Sequence, residues 1–420
     1  MASLLFAGLA IIPALLCTST TSPGAGGPLH AGDTATLQGV KILFLRGTHY
    51  ERGTQHGRLM GEAIMTMFHA WQITGLFAAD DSMYTYARAF IDSHFVFAPE
   101  YRTEAGGMIA GIRRANLSLH DPVLGRDIDS MDILVVNCIE ELLNITNINF
   151  GCSSISRWGE STVRDTVLKG ETVITRHWDY PRFPDMIRNL VLIVHQPAEI
   201  DEHPWISGAW AGSIGSRTAM SDSVGAFLNY APIFGPQTYM NKTTHRPVSF
   251  SIRAAIERND YNGDGRQSNN DIIDAIKAYA PCFGTIIHAV QPAHNDTPAV
   301  VIESDNSLGI MVRTGLTDAD SLPGSNLAAT NHFRVLSAPI FCGRYQKIID
   351  SLTALSLVGL DRSWDLLAGA GAYPGCIYSI SYVPKSGIIR WAVTSMDDPA
   401  PAYERQSARF TMRSLVEFGR

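Results

Sequence analysis

A glycine followed at once by a cysteine, Gly151-Cys152, is the pair of residues in this chain whose types and spacing best support chemistry. Gly151 puts no side chain beside its own carbonyl, and Ser153-Ser154-Ile155-Ser156 reads as a strand that would hold the cysteine at an edge. The Cys152 thiol could attack the Gly151 carbonyl, take the acyl group by an N-to-S shift, and be released by water. The new chain then begins at Cys152, whose α-amine has an ordinary pKa of about 7.7–8.0 and can act as base for its own thiol. One residue would supply both nucleophile and base. A cysteine taken alone is more often a small buried apolar residue, so the case rests on its surroundings.

A second cluster suits a cation. Asp260-Tyr261-Asn262-Gly263-Asp264-Gly265-Arg266-Gln267-Ser268-Asn269-Asn270-Asp271 carries oxygen-bearing side chains at loop positions one, three, five, nine and twelve. Glycine stands at six, where the turn is sharp. The expected ligand set is Asp260, Asn262, Asp264, Arg266 at the seventh position, Ser268 and Asp271, holding a structural Ca2+. Asp instead of Glu at the twelfth position resembles dockerin-type loops and implies weaker binding. An ordinary Asn/Asp/Gly turn would produce part of this pattern.

These groups need elements to position them. A short apolar strand, Ile42 to Leu45, leads through the turn-like Arg46-Gly47-Thr48 into helical texture from Glu51 to about Leu143. In the last helix Met131, Leu134, Val135, Cys138 and Leu142 recur at three- and four-residue spacing and predict one core-facing stripe. The texture changes at residues 147–151. Beyond them β-type runs dominate, at 172–175, 190–194, 224–228, 299–302 and 377–383, with helical stretches near 252–258, 271–280 and 338–355. The expected organisation is a signal and spacer at 1–27, a helical segment at 28–151, and a mixed sheet-and-helix part at 152–420 carrying the 260–271 loop.

Gly151-Cys152-Ser153-Ser154, followed by Thr175-Arg176-His177-Trp178-Asp179-Tyr180, resembles the N-terminal-nucleophile (Ntn) superfamily that holds the choloylglycine and penicillin V hydrolases, acid ceramidase and the penicillin-biosynthetic acyltransferases. The likeness is greatest to the acyltransferase-like branch, which keeps a helical pro-segment. Leu45-Arg46-Gly47-Thr48-His49-Tyr50-Glu51-Arg52-Gly53-Thr54-Gln55-His56-Gly57 is similar to that pro-segment, and Ala329-Thr330-Asn331-His332-Phe333 to a later asparagine motif. The resemblance runs from about Lys41 to Ala392. It implies an α+β fold, the αββα four-layer sandwich, with a mainly helical N-terminal pro-segment. It also implies a self-cleaving zymogen with a thiol nucleophile, acting on linear non-peptide amides by hydrolysis or acyl transfer, with no cofactor for catalysis.

Carried over residue by residue, Arg176 would stabilise the Cys152 thiolate and Asp179 would accept from its α-amine. Asn229, after a Gly-x-x-Leu strand, would lend its amide to the oxyanion hole. Asn331 would give a second polar contact to the oxyanion or acyl carbonyl, and Arg344 would hold the site together. Phe341-Cys342-Gly343 departs from the more charged context that the family has there. The structural alternatives are a surface ion pair for Arg176 and Asp179 and a strand-end turn for Asn229. His56, His177 and His332 read as structural groups, because the α-amine removes the need for imidazole. Trp178, Tyr180, Trp205, Trp210 and Tyr230 could line an apolar acyl pocket, or simply be core.

Composition bounds the rest. Of the residues, 45% are apolar and 17% charged, which fits a folded protein. A net charge of −7, with 33 Lys and Arg spread along the chain, offers no basic stripe for nucleic acid. The expected partners are a small acyl-amide substrate and the two processed pieces for one another. The apolar run at 4–16, followed by small polar residues, reads as a secretory signal with no stable membrane span after its removal. Leu16 before Cys17 argues against lipid attachment. The remaining Cys138, Cys152, Cys282, Cys342 and Cys376 are an odd number for an oxidising compartment. With Cys152 free, the other four allow disulfides in three pairings, or are buried apolar residues. Sequons stand at Asn116, Asn144, Asn241 and Asn295. Two competing readings are an unprocessed Cys–His hydrolase using Cys152 and His177, and a secreted calcium-dependent adhesion or scaffold module.

Overall fold

A computed structural model describes residues 32–146, 151–230, 244–317, 320–354, 359–371 and 375–419. The apolar run at 4–16, Cys17, residues 147–150 and the Asn241 sequon lie outside the described residues.

The first part opens as a hairpin, β1 (Asp33–Leu37) and β2 (Val40–Gly47). Thr48 caps α1 (His49–Thr66) with a capping box: its side chain accepts from the Glu51 N–H, and Glu51 reaches back to the Thr48 N–H. The helix widens into a π-type coil over Met67–Leu76, and α2 (Asp81–His94) and α3 (Pro99–Arg114) follow. Helices α1 and α3 meet along glycines. A Cβ on Gly57 would lie 2.0 Å from the Met108 carbonyl oxygen, and one on Gly111 would lie 2.1 Å from that of Thr54. After the two-residue strands β3 (His120–Asp121) and β4 (Arg126–Asp127) come α4 (Ser130–Val136) and α5 (Ile139–Thr146).

The single helix expected over 131–142 is therefore divided at Asn137. The Asn137 amide oxygen accepts from the Ile214 and Gly215 N–H groups, and its main-chain oxygen accepts from Ser249 and Arg217. The bonds to the main-chain oxygen take over an acceptor that a continuous helix would use internally.

From the cysteine onward strands dominate. β5 (Gly151–Arg157) and β6 (Val173–Asp179) are followed by the short α6 (Pro184–Arg188). Then come β7 (Leu190–Pro197), β8 (Trp205–Trp210), β9 (Thr218–Met220) and β10 (Gly225–Tyr230). Helices α7 (Val248–Glu257) and α8 (Asn269–Lys277) precede β11 (Thr285–Val290), β12 (Ala299–Asp305) and β13 (Gly309–Arg313). The chain continues through β14 (Asn326–Ala329), α9 (Gly343–Ala354) and α10 (Leu360–Ala370). It closes with β15 (Cys376–Val383), β16 (Ile388–Val393), β17 (Ala408–Thr411) and α11 (Met412–Phe418).

Among the described residues the strands form two main sheets, ordered β1-β2-β7-β8-β9-β10-β11-β12-β13 and β14-β5-β6-β15-β16-β17. The sheets pack face to face: a Cβ on Gly208 would press on Trp391 at 2.6 Å, and the Asn229 amide on one sheet bonds Ser154 on the other. Helices α1, α7 and α8 cover the outer face of the larger sheet, and α9 and α10 that of the smaller. The order of layers is helix, sheet, sheet, helix, as the resemblance implied. Both faces of the inner strands are covered, so β5, β6 and β15 are buried at every residue.

Residues 31–420 form one compact unit. The junction at 151–152 is thus a point along the chain and not a border between two bodies, because β1 and β2 complete the larger sheet through the parallel pairing of β2 with β7. No helix among the described residues is long and apolar enough to cross a membrane. The expectation of disulfides is not met: Cys138, Cys152, Cys282, Cys342 and Cys376 are all free thiols. The Cys138 sulfur donates to the Leu134 carbonyl within its own turn, and that of Cys376 meets Tyr378 O and Ser379 Oγ, each 3.2 Å away.

Candidate active site

Strand β5 places Cys152, Ser154 and Ser156 on the face that looks into the space between the sheets, and Ser153 and Ile155 on the face toward α9 and α10. A buried strand with three serines needs partners for each hydroxyl, and all three have them. Ser154 and Ser156 contact the His288 ring, and Ser153 accepts from Arg344.

The Cys152 side chain is fully buried, with its sulfur 3.1 Å from Arg176 Nη2. Arg176 stands on β6 opposite Ser154 and faces the same interior. Its other bonds go to the Leu228 carbonyl (2.6 Å), the Tyr378 hydroxyl (2.6 Å) and Thr218 Oγ1 (3.1 Å), so the guanidinium is held on three sides. Burial pushes the Cys152 thiol above its ordinary pKa, with the Asp179 charge adding to the rise. Arg176 and Arg344 pull against it without reversing it. The thiol is therefore the resting form.

Arg344 and Asn331 attend to the main chain of Cys152 instead, and Asp179 joins them through Arg344. Arg344, near the start of α9, donates from Nη1 to the Cys152 carbonyl (3.2 Å) and to Asp179 Oδ2 (2.9 Å), and from Nη2 to Asn331 Oδ1 (2.5 Å). The same Asn331 oxygen accepts the Cys152 N–H at 2.9 Å, while Asn331 Nδ2 donates to the Tyr230 carbonyl at 2.7 Å. Asn331 thus meets Cys152 through its amide oxygen, at the nitrogen that cleavage would turn into an amine. Asn229 is close by on β10, but both its N–H groups are engaged, by Ser154 Oγ at 2.6 Å and the Ala329 carbonyl at 3.3 Å. All six expected residues, Cys152, Arg176, Asp179, Asn229, Asn331 and Arg344, come together in one place. Sequence reasoning missed Thr218, Tyr378, Ser154 and His288. Thr218 and His288 reach the site only through the stacking of the two sheets, Tyr378 only through the pairing of β15 with β6, and Ser154, two residues from Cys152, matters only because His288 meets it.

The histidines lie elsewhere. His177 sits opposite Ser153 on β6, so its ring points to the helix side, away from the Cys152 sulfur, and stacks on Tyr403 at 4.7 Å. Burial, with Arg176 and Arg390 nearby, lowers its pKa to about 3. A Cys152–His177 dyad is not formed. His56 accepts from the Gly212 N–H. His332 partners Cys342, where its hydrogen bond and those from Tyr345 and Thr330 outweigh burial and bring the thiol down to about 6. Of the aromatic residues, Trp178 stacks on Trp210 and tilts against Tyr180, whereas Trp205 lies on the other face of β8, flat against His195. Trp205 therefore faces away from Cys152 and lines no common pocket with the rest.

In the 260–271 loop, Asp260 accepts from the N–H groups of Gly263, Asp264 and Gly265, and Asp271 from those of Tyr261, Asn262 and Ser268. Gly263 and Gly265 have φ of +79° and +95°, a backbone region that side chains disfavour. The sharp turn is present, but the carboxylates of Asp260 and Asp271 are spent on main-chain donors. Among the described residues the acidic, imidazole and thiol groups that converge within 4.8 Å are those of His49, Glu202 and Glu257. Both His49 nitrogens there are bonded to carboxylates at 2.8 Å, and Arg253 lies alongside, which makes it an ion-pair cluster.

No protein-family model matches the sequence, and no curated protein matches it significantly. Among solved structures, the chain is similar to two variants of the conjugated bile acid hydrolase of Clostridium perfringens. One is 10% identical with a TM-score of 0.39, over 63% of this chain and 93% of the other. The second is 10% identical with a TM-score of 0.30, over 63% and 85%. Likenesses of that size carry no residue roles across.

Proposed function

We propose that this chain is a zymogen that cuts itself between Gly151 and Cys152 and then uses the freed Cys152 as an N-terminal nucleophile on linear, non-peptide acyl amides. The observation that carries the reading is the double attendance on Cys152. Arg176 lies at the sulfur, while Asn331 accepts the main-chain N–H and Arg344, paired with Asp179, donates to the carbonyl.

In the cut itself, Sγ bonds to the Gly151 carbonyl carbon, the peptide C–N bond breaks, and the nitrogen takes up the thiol proton. Water then hydrolyses the thioester, leaving a Gly151 carboxylate and a Cys152 α-amine. In turnover the amine receives the thiol proton, Sγ attacks the substrate carbonyl, and the leaving amine departs with a proton. Water, or a second amine if the acyl group is transferred, resolves the thioester. Asn331 Oδ1, which accepts the amide N–H in the uncut chain, would accept from the amine afterwards, and Asp179 would add negative charge beside it. Arg176 would stabilise the thiolate. Asn229 would supply the oxyanion donor once one of its N–H groups is released. The two pieces would stay together, since strands from both belong to one sheet. The run at 4–16 makes export part of the reading.

On a denaturing, reducing gel the mature protein should separate into two pieces, the second beginning at Cys152 by terminal sequencing. Cys152→Ala should stay whole and hydrolyse nothing in a panel of N-acyl amides. If Cys152→Ala is cut normally, a foreign protease makes the cut and self-processing is lost.

A further inference from the structure

Asn229, Ser154, His288 and Ser156 form one buried line of hydrogen bonds between the sheets. Asn229 Nδ2 lies 2.6 Å from Ser154 Oγ, Ser154 Oγ 2.8 Å from His288 Nδ1, and His288 Nε2 2.8 Å from Ser156 Oγ. Ser156 Oγ is 3.4 Å from the Leu327 carbonyl. Asn229 and His288 are fully buried. Burial, and to a lesser degree Arg313, lowers the His288 pKa to about 3, so its ring is neutral and carries one proton.

Each hydroxyl has a single proton, which fixes the sense of the whole line. With Asn229 donating to Ser154, the Ser154 proton must go to Nδ1. The ring proton is then on Nε2 and donated to Ser156, whose own proton points to Leu327. In this sense Asn229 Oδ1 is buried with no hydrogen-bond partner among the described residues. An acceptor left there is the wrong end of the amide for a developing oxyanion.

Turning the Asn229 amide over reverses every bond with the same number of protons. Oδ1 accepts from Ser154, Ser154 accepts from a ring proton now on Nδ1, and Nε2 accepts from Ser156. What is given up is the two longest contacts, Asn229 to Ala329 at 3.3 Å, which becomes a meeting of two acceptors, and Ser156 to Leu327 at 3.4 Å. What is gained is an Asn229 N–H free to donate.

We propose that His288 is a positioning residue whose tautomer, relayed through Ser154, sets which end of the Asn229 amide is free for the chemistry at Cys152, the Nδ1–H form being the competent one. The inference rests on the reading of Asn229 as the oxyanion donor. Ser154 stands two residues from Cys152 on the same face of β5, which puts the relay beside the nucleophile without touching substrate.

The tautomer is read by 15N NMR of histidine-labelled, uncut Cys152→Ala protein, with no need of activity. The ring should carry its proton on Nε2. Adding Asn229→Asp, whose carboxylate only accepts, should move a proton to Nδ1, because Ser154 must then donate to residue 229. A ring that stays Nε2–H in that variant overturns the proposal. A kinetic arm uses cleaved enzyme. His288→Asn keeps a group able to donate to Ser154 and should hold kcat within about 3-fold, while His288→Gln, which reaches Ser156 instead, should lose about 10- to 100-fold in kcat with KM unchanged. Equal losses in both variants, or a change in KM alone, make His288 a packing residue and overturn the proposal. If wild-type protein cleaves none of the amides, the reading of function fails, and the NMR result still decides whether the relay exists.

Discussion

Arg344 touches four groups with one guanidinium: the Cys152 carbonyl, Ser153 Oγ, Asp179 Oδ2 and Asn331 Oδ1. Asp179 is fully buried and the Arg344 side chain is 18% exposed, so removing the cation leaves a buried carboxylate without its guanidinium. Such losses cost about 3–5 kcal/mol. Arg344→Ala, made in the uncut Cys152→Ala background so that processing cannot intervene, should lower stability to urea by about 3 kcal/mol. In an Asp179→Asn background the same substitution should cost at least about 1 kcal/mol less, since the charge to be compensated is gone. Equal costs in the two backgrounds would mean that Arg344 acts by packing alone. The type of each residue here was legible from Arg176-x-x-Asp179 and the asparagine motifs. The division of labour between Arg176 and Asp179 came only from the resemblance, because the residues alone do not show that alternation along β6 sends Arg176 to the sulfur and Asp179 to the opposite face. That assignment needs the register of β5 against β6.

At the scale of elements, α1 packs against α3 backbone to backbone, where Gly53 and Gly57 face Gly107 and Gly111. A methyl group at Gly111 would sit 2.1 Å from the Thr54 carbonyl oxygen and 2.7 Å from the Arg58 nitrogen, well inside contact, and both are backbone atoms. Gly111→Ala gains about 1 kcal/mol in helix propensity but forces the helices apart, and overpacking of this kind costs about 1–3 kcal/mol or more. The expected net loss is about 2 kcal/mol by urea unfolding. A stabilised Gly111→Ala would show that the helices are not in contact there. The motif around Gly53 and Gly57 was visible in the sequence only as a likeness, since what glycine is needed for is the partner helix. In the same way the strand after Gly151 follows from its residues, while the break at Asn137 does not, being made by acceptors and donors some 75 residues away. For the 260–271 loop we propose a structural calcium ion that would draw the Asp260 and Asp271 carboxylates off their main-chain donors. Added calcium should raise the melting temperature, a chelator should lower it, and Asp264→Ala should abolish the difference. An unchanged melting curve together with no metal by elemental analysis leaves an ordinary turn.

Across the whole molecule, the parts before and after Cys152 are joined by β2 against β7 and by a buried charge cluster. His49 on α1 bonds Glu104 on α3 and Glu202 beyond β7, and Arg253 on α7 closes the set through Glu104. Burial alone would lower the His49 pKa, but the two carboxylates overcome it and raise it from 6.5 to about 9. A raised pKa means that the folded state holds the proton more tightly than the unfolded chain. The stability it contributes is complete below about pH 6.5 and is lost as pH rises through about 9. Glu141 also works against alkaline stability. Burial first, and then Glu140, raises its pKa to about 8, so the stability tied to its proton is lost over a lower window, from about pH 4.5 to 8. Comparing variants at each pH cancels that contribution. In the uncut Cys152→Ala chain, His49→Gln should be less stable than its parent by about 2 kcal/mol at pH 6.5. The gap should close as pH approaches 10, where the parent has lost the same charge. A gap that stays constant from pH 6.5 to 10 would show that His49 is neutral in the fold, and that the clamp between the two parts does not depend on its proton.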